Sequence, residues 1–110
     1  MKIVWTDSAK NDLLDIREFL KNSESLEFAA KITKEIRDEV ATLRQWPKHK
    51  GAYVKELEEL DLPQYRQLLA GQNRVIVERG DDGTCYILLV CHTSRNLDAM
   101  LRRRLLGSAG

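Results

Sequence analysis

Three strand-like segments in the second half of the chain constrain its fold more than any other feature. They read Tyr65–Ala70, Asn73–Arg79 and Thr84–His92, and both short connections between them contain glycine. Asp81-Asp82-Gly83 is a strong hairpin signal, because Asp-Gly tolerates the positive φ of primed turns, whereas Gly71-Gln72 is merely permissive. The pattern predicts a three-strand antiparallel meander.

The end of the third strand is where a function is expected. Residues 87–90 are apolar on both faces, which is typical of a strand in the interior of a sheet. The polar segment His92-Thr93-Ser94-Arg95-Asn96 follows at once. Its side chains can bind an anion or transfer a proton.

The first half of the chain has helical periodicity. After a short strand at Lys2–Thr6, apolar residues recur at spacings of three and four in two stretches. The first stripe is Ala9, Leu13, Ile16 and Leu20; the second, in a helix from about Ser25 to Gln45, is Ala29, Ile32, Ile36, Val40 and Leu43. Two such stripes joined by a short polar loop predict an antiparallel helical hairpin that covers one face of the sheet.

The remaining segments complete the prediction of an α+β fold. Residues 48–63 lack a clear period and are predicted to form a loop with one strand-like or helical turn around residues 54–60. Asn96 can cap a short amphipathic C-terminal helix, and residues 107–110 read as a flexible tail. We therefore expect one domain over residues 1–106, built from an N-terminal strand, the helical hairpin, the meander and the C-terminal helix.

Composition narrows the class of protein. A chain of 110 residues, 43% of them hydrophobic, suits one domain with one core, and a formal net charge of +1 argues against direct nucleic-acid binding. No apolar run approaches the roughly 20 residues that span a bilayer, so the expected location is the cytoplasm and not a membrane. Cys85 and Cys91 lie about 20 Å apart on one predicted strand, too far to bond, and are expected to be buried thiols. No metal-ligand spacing occurs, and neither a metal nor a cofactor is expected.

The order of the elements and several short motifs resemble the RelE/ParE superfamily of toxins from bacterial toxin–antitoxin pairs. The first motif is Trp5-Thr6-Asp7-Ser8-Ala9, followed by Asp12-Leu13 and Ile16. The others are Trp46-Pro47, Tyr65-Arg66, residues 73–77 and residues 90–97. The resemblance spans about residues 3–105. It implies the fold predicted above and a toxin of a type II pair, a class that includes plasmid-stabilisation systems.

The branch of the superfamily decides the mechanism that the resemblance implies. RelE-type toxins cut messenger RNA on the ribosome, which needs a base, an acid and cations that stabilise the phosphorane. The candidates for that chemistry in this chain are Arg66, Arg74, His92 and Arg95. However, Leu68 stands where a second basic strand residue is expected, and Ala99 and Met100 stand where RelE-type chains place a tyrosine. The pattern is more similar to ParE-type toxins, which keep the fold and poison DNA gyrase without such chemistry.

A gyrase-binding toxin is expected to use its C-terminal end. The predicted outer face of the last helix carries a run of arginines, and one more arginine precedes the helix. Complementary charge steers association and fixes orientation. The expected target-binding residues are Arg95, Arg102, Arg103 and Arg104.

The expected antitoxin-binding residues are apolar and fall beside the core stripes of the two helices. They are Leu14, Phe19 and Phe28. A disordered segment of the partner is expected to fold onto them. The resemblance implies a ParD-like antitoxin with a ribbon-helix-helix DNA-binding domain.

Structural interpretations of the same residues stay open at this point. Arg74 can pair with Glu78 or Asp98, and His92 can cap the last helix. The arginine run can be a solvated face that complements the helix dipole. Besides gyrase inhibition, a RelE-like ribonuclease and a degenerate toxin that only binds its antitoxin remain as functions.

Overall fold

The structure is a computed structural model that describes residues 2–45, 52–54 and 64–105. The helices are α1 (Asp7–Ser23), α2 (Leu26–Ala41) and α3 (Leu97–Leu105), with a 3-10 turn at Thr42–Arg44. The strands are β1 (Ile3–Trp5), β2 (Ala52–Tyr53), β3 (Tyr65–Ala70), β4 (Asn73–Arg79) and β5 (Cys85–His92). The predicted α+β fold is confirmed. The tail at residues 107–110 and most of the turn predicted at residues 54–60 lie outside the described residues.

Within the described ranges the sheet has five strands, since β1 and β2 each add a strand at one side of the predicted meander. The order is β1-β5-β4-β3-β2, with β1 parallel to β5 and the other pairs antiparallel. Strand β1 pairs only with residues 85–87 of β5. In the part of the chain that the structure describes, the second half of β5 therefore forms an edge of the sheet.

Side-chain hydroxyls define the limits of the two long helices. The Oγ1 atom of Thr6 accepts the N–H of Ala9 at the start of α1, and Ser25 does the same for Phe28 at the start of α2. Helix α2 ends at Ala41, earlier than predicted. The hydroxyl of Thr42 donates to the carbonyl of Glu39 at 2.6 Å, and the chain tightens into the 3-10 turn there.

Each face of the sheet carries its own core. The hairpin of α1 and α2 covers one face, where the buried residues include Ile36, Leu43, Val75, Val77 and Ile87. Alternate strand residues point to the other face, where Ile76, Leu89 and Cys91 pack against Leu97 and Leu101 of α3. We call these the hairpin face and the α3 face. The prediction of helices on one face thus holds for the hairpin only.

The geometry of the two turns of the meander does not follow the strength of their hairpin signals in the sequence. Ala70 pairs with Asn73, so Gly71-Gln72 is a two-residue hairpin turn, and Gly71 has φ +59°, which favours glycine. The connection from β4 to β5 is longer and runs through residues 80–84. The weaker of the two sequence signals therefore makes the tighter turn.

Candidate functional site

A groove of about 930 Å³ lies on the hairpin face, beside the end of β5. One wall is the C-terminal half of α1 with Phe19, together with Phe28 of α2. The other wall is the turn between β3 and β4, the end of β5 with His92, and Arg95. Met100 of α3 and the carboxylate residue Asp12 also line it. The groove brings apolar, basic and acidic side chains from the helices and the sheet together, and it is the candidate functional site.

The tight turn between β3 and β4 positions the sheet side of the groove. Asn73 is the cross-strand neighbour of His92, and the backbone N–H of Thr93 donates to the carbonyl of Gln72 at 2.8 Å. These bonds hold the turn against the end of β5. Asn96 caps α3 by accepting the N–H of Ala99, as predicted, so helix α3 begins directly after the groove.

His92 is held by hydrogen bonds at both ring nitrogens. Its Nδ1 accepts the backbone N–H of Ser94 at 3.0 Å and lies 2.7 Å from the hydroxyl of the same residue. Because a backbone N–H can only donate, the proton of the neutral ring is assigned to Nε2, which lies 3.2 Å from Oε1 of Gln72. A proton-transfer role would require breaking one of these contacts.

The fold does not bring the four candidates for ribonuclease chemistry together. Arg74 pairs with Cys91 and lies on the α3 face, whereas His92 and Arg66 lie on the hairpin face. In the pairing register, His92 lies level with Ala70, four residues along β3 from Arg66, and β5 is two strand spacings away from β3. The Cα atoms of Arg66 and His92 are therefore about 16 Å apart. Only Arg95 shares the groove with His92. The four residues do not form one site.

The candidates for antitoxin binding are exposed, but the structure divides them. Leu14, Phe19 and Phe28 are 55%, 69% and 38% exposed. Phe19 and Phe28 line the groove, whereas Leu14 points from another side of α1. The reason is helical geometry: at 100° per residue, positions 14 and 19 lie 140° apart. The three residues that the sequence groups together therefore belong to two surfaces.

The second surface is a shallow pocket of about 340 Å³ around Leu14. Its apolar floor includes Trp5, and three basic residues line it, namely Lys10, Arg17 and Arg37. Among the residues that the structure describes, no acidic one lines this pocket. We call it the cationic patch, and its chemistry differs from that of the groove, which contains both carboxylates and basic groups.

The arginines at the end of the chain have different surroundings. Arg102 makes an exposed ion pair with Asp98, with Nε and Oδ2 3.2 Å apart, and Arg103 is exposed. Arg104 instead forms a partly buried, bidentate ion pair with Asp12 of α1. The prediction that Arg104 lies on the outer face of the helix is wrong, because position 104 is seven residues after Leu97 and falls on the same inward stripe.

Asp12 is the site residue that sequence reasoning missed. Besides Arg104, its carboxylate accepts the backbone N–H of Val90 at 3.0 Å. The sequence contained one signal, since Asp12 lies close to the apolar stripe of α1 between Ala9 and Leu13. A partly buried carboxylate normally requires a partner, but nothing local identifies a partner 92 positions away.

Two further observations concern membranes and metals. None of the helices in the described ranges is long and apolar enough to cross a bilayer. Among the same residues, His, Cys, Asp and Glu side chains form no group of three suited to a metal ion.

Comparisons with known proteins match this chain to toxins. The family model described as ParE toxin of type II toxin-antitoxin system, parDE, matches residues 3–97. The comparison with curated proteins found no match. The chromosomal ParDE system from P. aeruginosa has a TM-score of 0.70 at 21% identity, over 84% of this chain and 95% of that one. The RelBE2 toxin–antitoxin complex from Mycobacterium tuberculosis gives 0.50 at 19%, over 83% and 95%. At these identities the structural likeness is one of fold, whereas the family match covers most of the sequence: the chain belongs to the ParE toxin family of type II toxin–antitoxin systems.

Proposed function

We propose that this protein inhibits DNA gyrase by binding it, and that a cognate antitoxin neutralises it. The observation that carries the proposal is the separation of Arg74 from His92 by the sheet, and of Arg66 from His92 by about 16 Å. Cleavage by a ribose hydroxyl needs a base, an acid and a cation at one phosphate. Inhibition by contact needs none of these. The proposed target is a cytoplasmic enzyme, so the proposal includes a cytoplasmic location.

The proposed gyrase contact consists of the basic side chains that remain outward near α3. Arg95 lines the groove, while Arg102 and Arg103 are exposed on the helix. Arg104 is left out of this surface, because its guanidinium already binds Asp12. Three outward cations suit an acidic protein surface, since complementary charge mainly raises the association rate and fixes orientation.

A ribonuclease is the second candidate, and one observation favours it. His92 and Arg95 line the same groove, so one titratable group and one cation lie at the same surface. The distinction from gyrase inhibition can be tested directly with purified protein.

The first experiment compares gyrase and messenger RNA as targets. Purified protein should block supercoiling by gyrase and leave messenger RNA intact on translating ribosomes. Reversing charge at Arg102 and Arg103 to Glu should weaken inhibition at least tenfold without unfolding the protein, since exposed substitutions usually change stability by under about 0.5 kcal/mol.

The matched control makes the same charge change elsewhere. Lys21→Glu with Lys31→Glu alters two exposed lysines of the hairpin that line neither the groove nor the cationic patch. This control should inhibit like the parent. Codon-specific cuts in messenger RNA that Arg95→Ala or His92→Ala abolishes would overturn gyrase inhibition in favour of the ribonuclease.

The proposed antitoxin is ParD-like, with a ribbon-helix-helix domain and a segment that folds on binding. Phe19 and Phe28 give the groove an apolar wall, and Leu14 gives the cationic patch an apolar centre. The three basic residues around Leu14 suit acidic residues in the antitoxin. The segment is therefore proposed to occupy both surfaces, on two sides of α1.

The antitoxin proposal predicts which exposed apolar residues matter. Phe19→Ala should weaken binding of the proposed antitoxin by about 2 kcal/mol or more, as expected for an aromatic anchor in an interface. Leu69→Ala is the control, because Leu69 is 56% exposed but pairs with Arg74 on the α3 face. Calorimetry should also give a negative heat-capacity change. Equal losses for the two variants would show that the groove is not the contact.

A further inference from the structure

The C-terminal turn of α3 is held by an ion pair between Arg104 and Asp12 of α1. We infer that Asp12 and Arg104 form a latch that fixes α3 at the open end of β5, so that Arg104 positions α3 instead of contacting the target. The latch itself is independent of the proposed gyrase inhibition. Only its effect on inhibition rests on that proposal.

The Arg104 guanidinium binds the Asp12 carboxylate in a bidentate arrangement. Nη1 of Arg104 lies 3.0 Å from Oδ2 of Asp12, and Nη2 lies 3.0 Å from Oδ1. The two side chains are only 23% and 13% exposed. Parallel charge-assisted bonds in partly buried surroundings fix both the distance and the orientation of the helix that carries the arginine.

The same two side chains close the sheet edge that β1 leaves open. Strand β1 reaches only as far as Ile87, and the pairing of β4 with β5 shifts by one residue just beyond it, next to Leu88. The carbonyl of Leu88 accepts a bond from Arg104, and the N–H of Val90 donates to Asp12. Unpaired edge groups invite other strands, and here two side chains satisfy them.

Helix α3 depends on such contacts to keep its orientation. It has nine residues, too few for a stable helix without packing. Leu97 and Leu101 bury its inner stripe, and Arg104 anchors its C-terminal turn. The outward directions of Arg102 and Arg103 follow from this docking, so a loose latch should disturb the proposed gyrase surface.

Hydrogen exchange tests the latch without reference to function. Arg104→Met should accelerate exchange of the backbone amides at residues 101–105 by roughly 10- to 100-fold, the range expected for a hydrogen bond to a charged group. Arg102→Met is the matched control: it makes the same change in the same helix, but its pair with Asp98 is 75% and 55% exposed. The control should change the rates less than about threefold.

A conservative variant covers the case in which Arg104→Met does not fold. Arg104→Lys keeps the positive charge but cannot form the bidentate pair. It should therefore accelerate hydrogen exchange of the same amides less than Arg104→Met does. Equal exchange rates for the parent, Arg104→Met and Arg104→Lys would overturn the latch, as would equal acceleration by Arg102→Met.

Gyrase inhibition tests whether Arg104 acts through Asp12. If Arg104 positions α3, Asp12→Asn and Arg104→Met should weaken inhibition to a similar extent, and the double variant should be no worse than either. If Arg104 contacts gyrase directly, Asp12→Asn should inhibit like the parent, or the double variant should lose further activity, and the positioning role is refuted. A parent protein that does not inhibit gyrase would refute the proposed function, whereas the exchange experiment would still decide the latch.

Discussion

The two faces of the sheet are covered in different ways. The hairpin face is packed by two helices of 17 and 16 residues, whose apolar stripes meet a continuous set of buried strand residues. The α3 face is packed, within the described residues, chiefly by the nine-residue α3. One face is held by many periodic contacts. The other is held by a short helix and one long-range ion pair.

The two faces differ in what they contribute to the stability of the fold and to the proposed function. The hairpin face supplies most of the buried helix–sheet contact, so its residues should determine whether the chain folds. Helix α3 carries Arg102 and Arg103, two of the three arginines proposed to reach gyrase, and few contacts hold this helix. Elements of low local stability can open without global unfolding. The two faces should therefore respond differently to equivalent substitutions.

The largest expected difference is in the free energy of unfolding. Ile36→Ala on the hairpin face, where the side chain is fully buried, should cost about 2 to 5 kcal/mol. Leu101→Ala is its counterpart on α3, with a side chain that is 2% exposed. It should cost less, because the loss cannot exceed the free energy that holds α3 in place. Urea unfolding followed by circular dichroism measures both.

The comparison between the faces fails if the two variants cost the same. Equal losses, at the same dependence of free energy on urea, would mean that α3 unfolds together with the hairpin and the sheet as one unit. A lower dependence on urea for Leu101→Ala would instead indicate that α3 has already detached in the folded variant.

The hairpin face could be predicted from sequence because its signals are local and periodic. Ala9, Ile36, Val40 and Leu43 were assigned to apolar stripes, and all four are buried. Spacings of three and four specify one side of a helix whatever the partner is. The end of α2 was placed too late, since the sequence pattern continues to Leu43 while the backbone tightens after Ala41.

The α3 face could be predicted only in part. The amphipathic pattern of the last helix predicts an apolar inward side, and Leu97 and Leu101 are buried there. The charge of Arg104 and its two basic neighbours predict a solvated run on the outward side of the helix. Its position seven residues after Leu97 favoured the inward side, but an inward arginine needs an acidic partner, and Asp12 lies on a helix at the other end of the chain.

The groove shows the same limit for binding residues. Phe19, Phe28, His92 and Arg95 were all named from sequence, but the first two were assigned to the antitoxin and the last two to a target or a reaction. The end of β5 packs beside α1, the turn at Gly71 lies next to it, and all four residues line one groove. The residue types predict the chemistry of each side chain. That the four side chains lie together follows only from the tertiary arrangement of the strands and helices.

The smallest expected difference between the two faces is in the reactivity of their cysteines, because each face contains one cysteine. Cys85 belongs to the core of the hairpin face and Cys91 to that of the α3 face, and both are buried as predicted. Burial raises the pKa of both thiols, so little thiolate is present at neutral pH while the protein is folded. Labelling therefore has to proceed through opening. Cys91 should react at least about tenfold faster than Cys85, because release of α3 uncovers it and Cys85 requires wider unfolding.

Mass spectrometry of partly labelled protein at neutral pH measures the order of reaction directly, since cleavage after Tyr86 places Cys85 and Cys91 in separate peptides. Arg104→Met should accelerate labelling of Cys91 and leave Cys85 nearly unchanged, because the latch acts on α3 alone. Repeating the labelling in the Ile36→Ala variant provides the opposite test, since weakening the hairpin face should accelerate both thiols. If Cys85 reacts first in the parent protein, the hairpin face is the one that opens more readily, and the contrast drawn between the two faces is reversed.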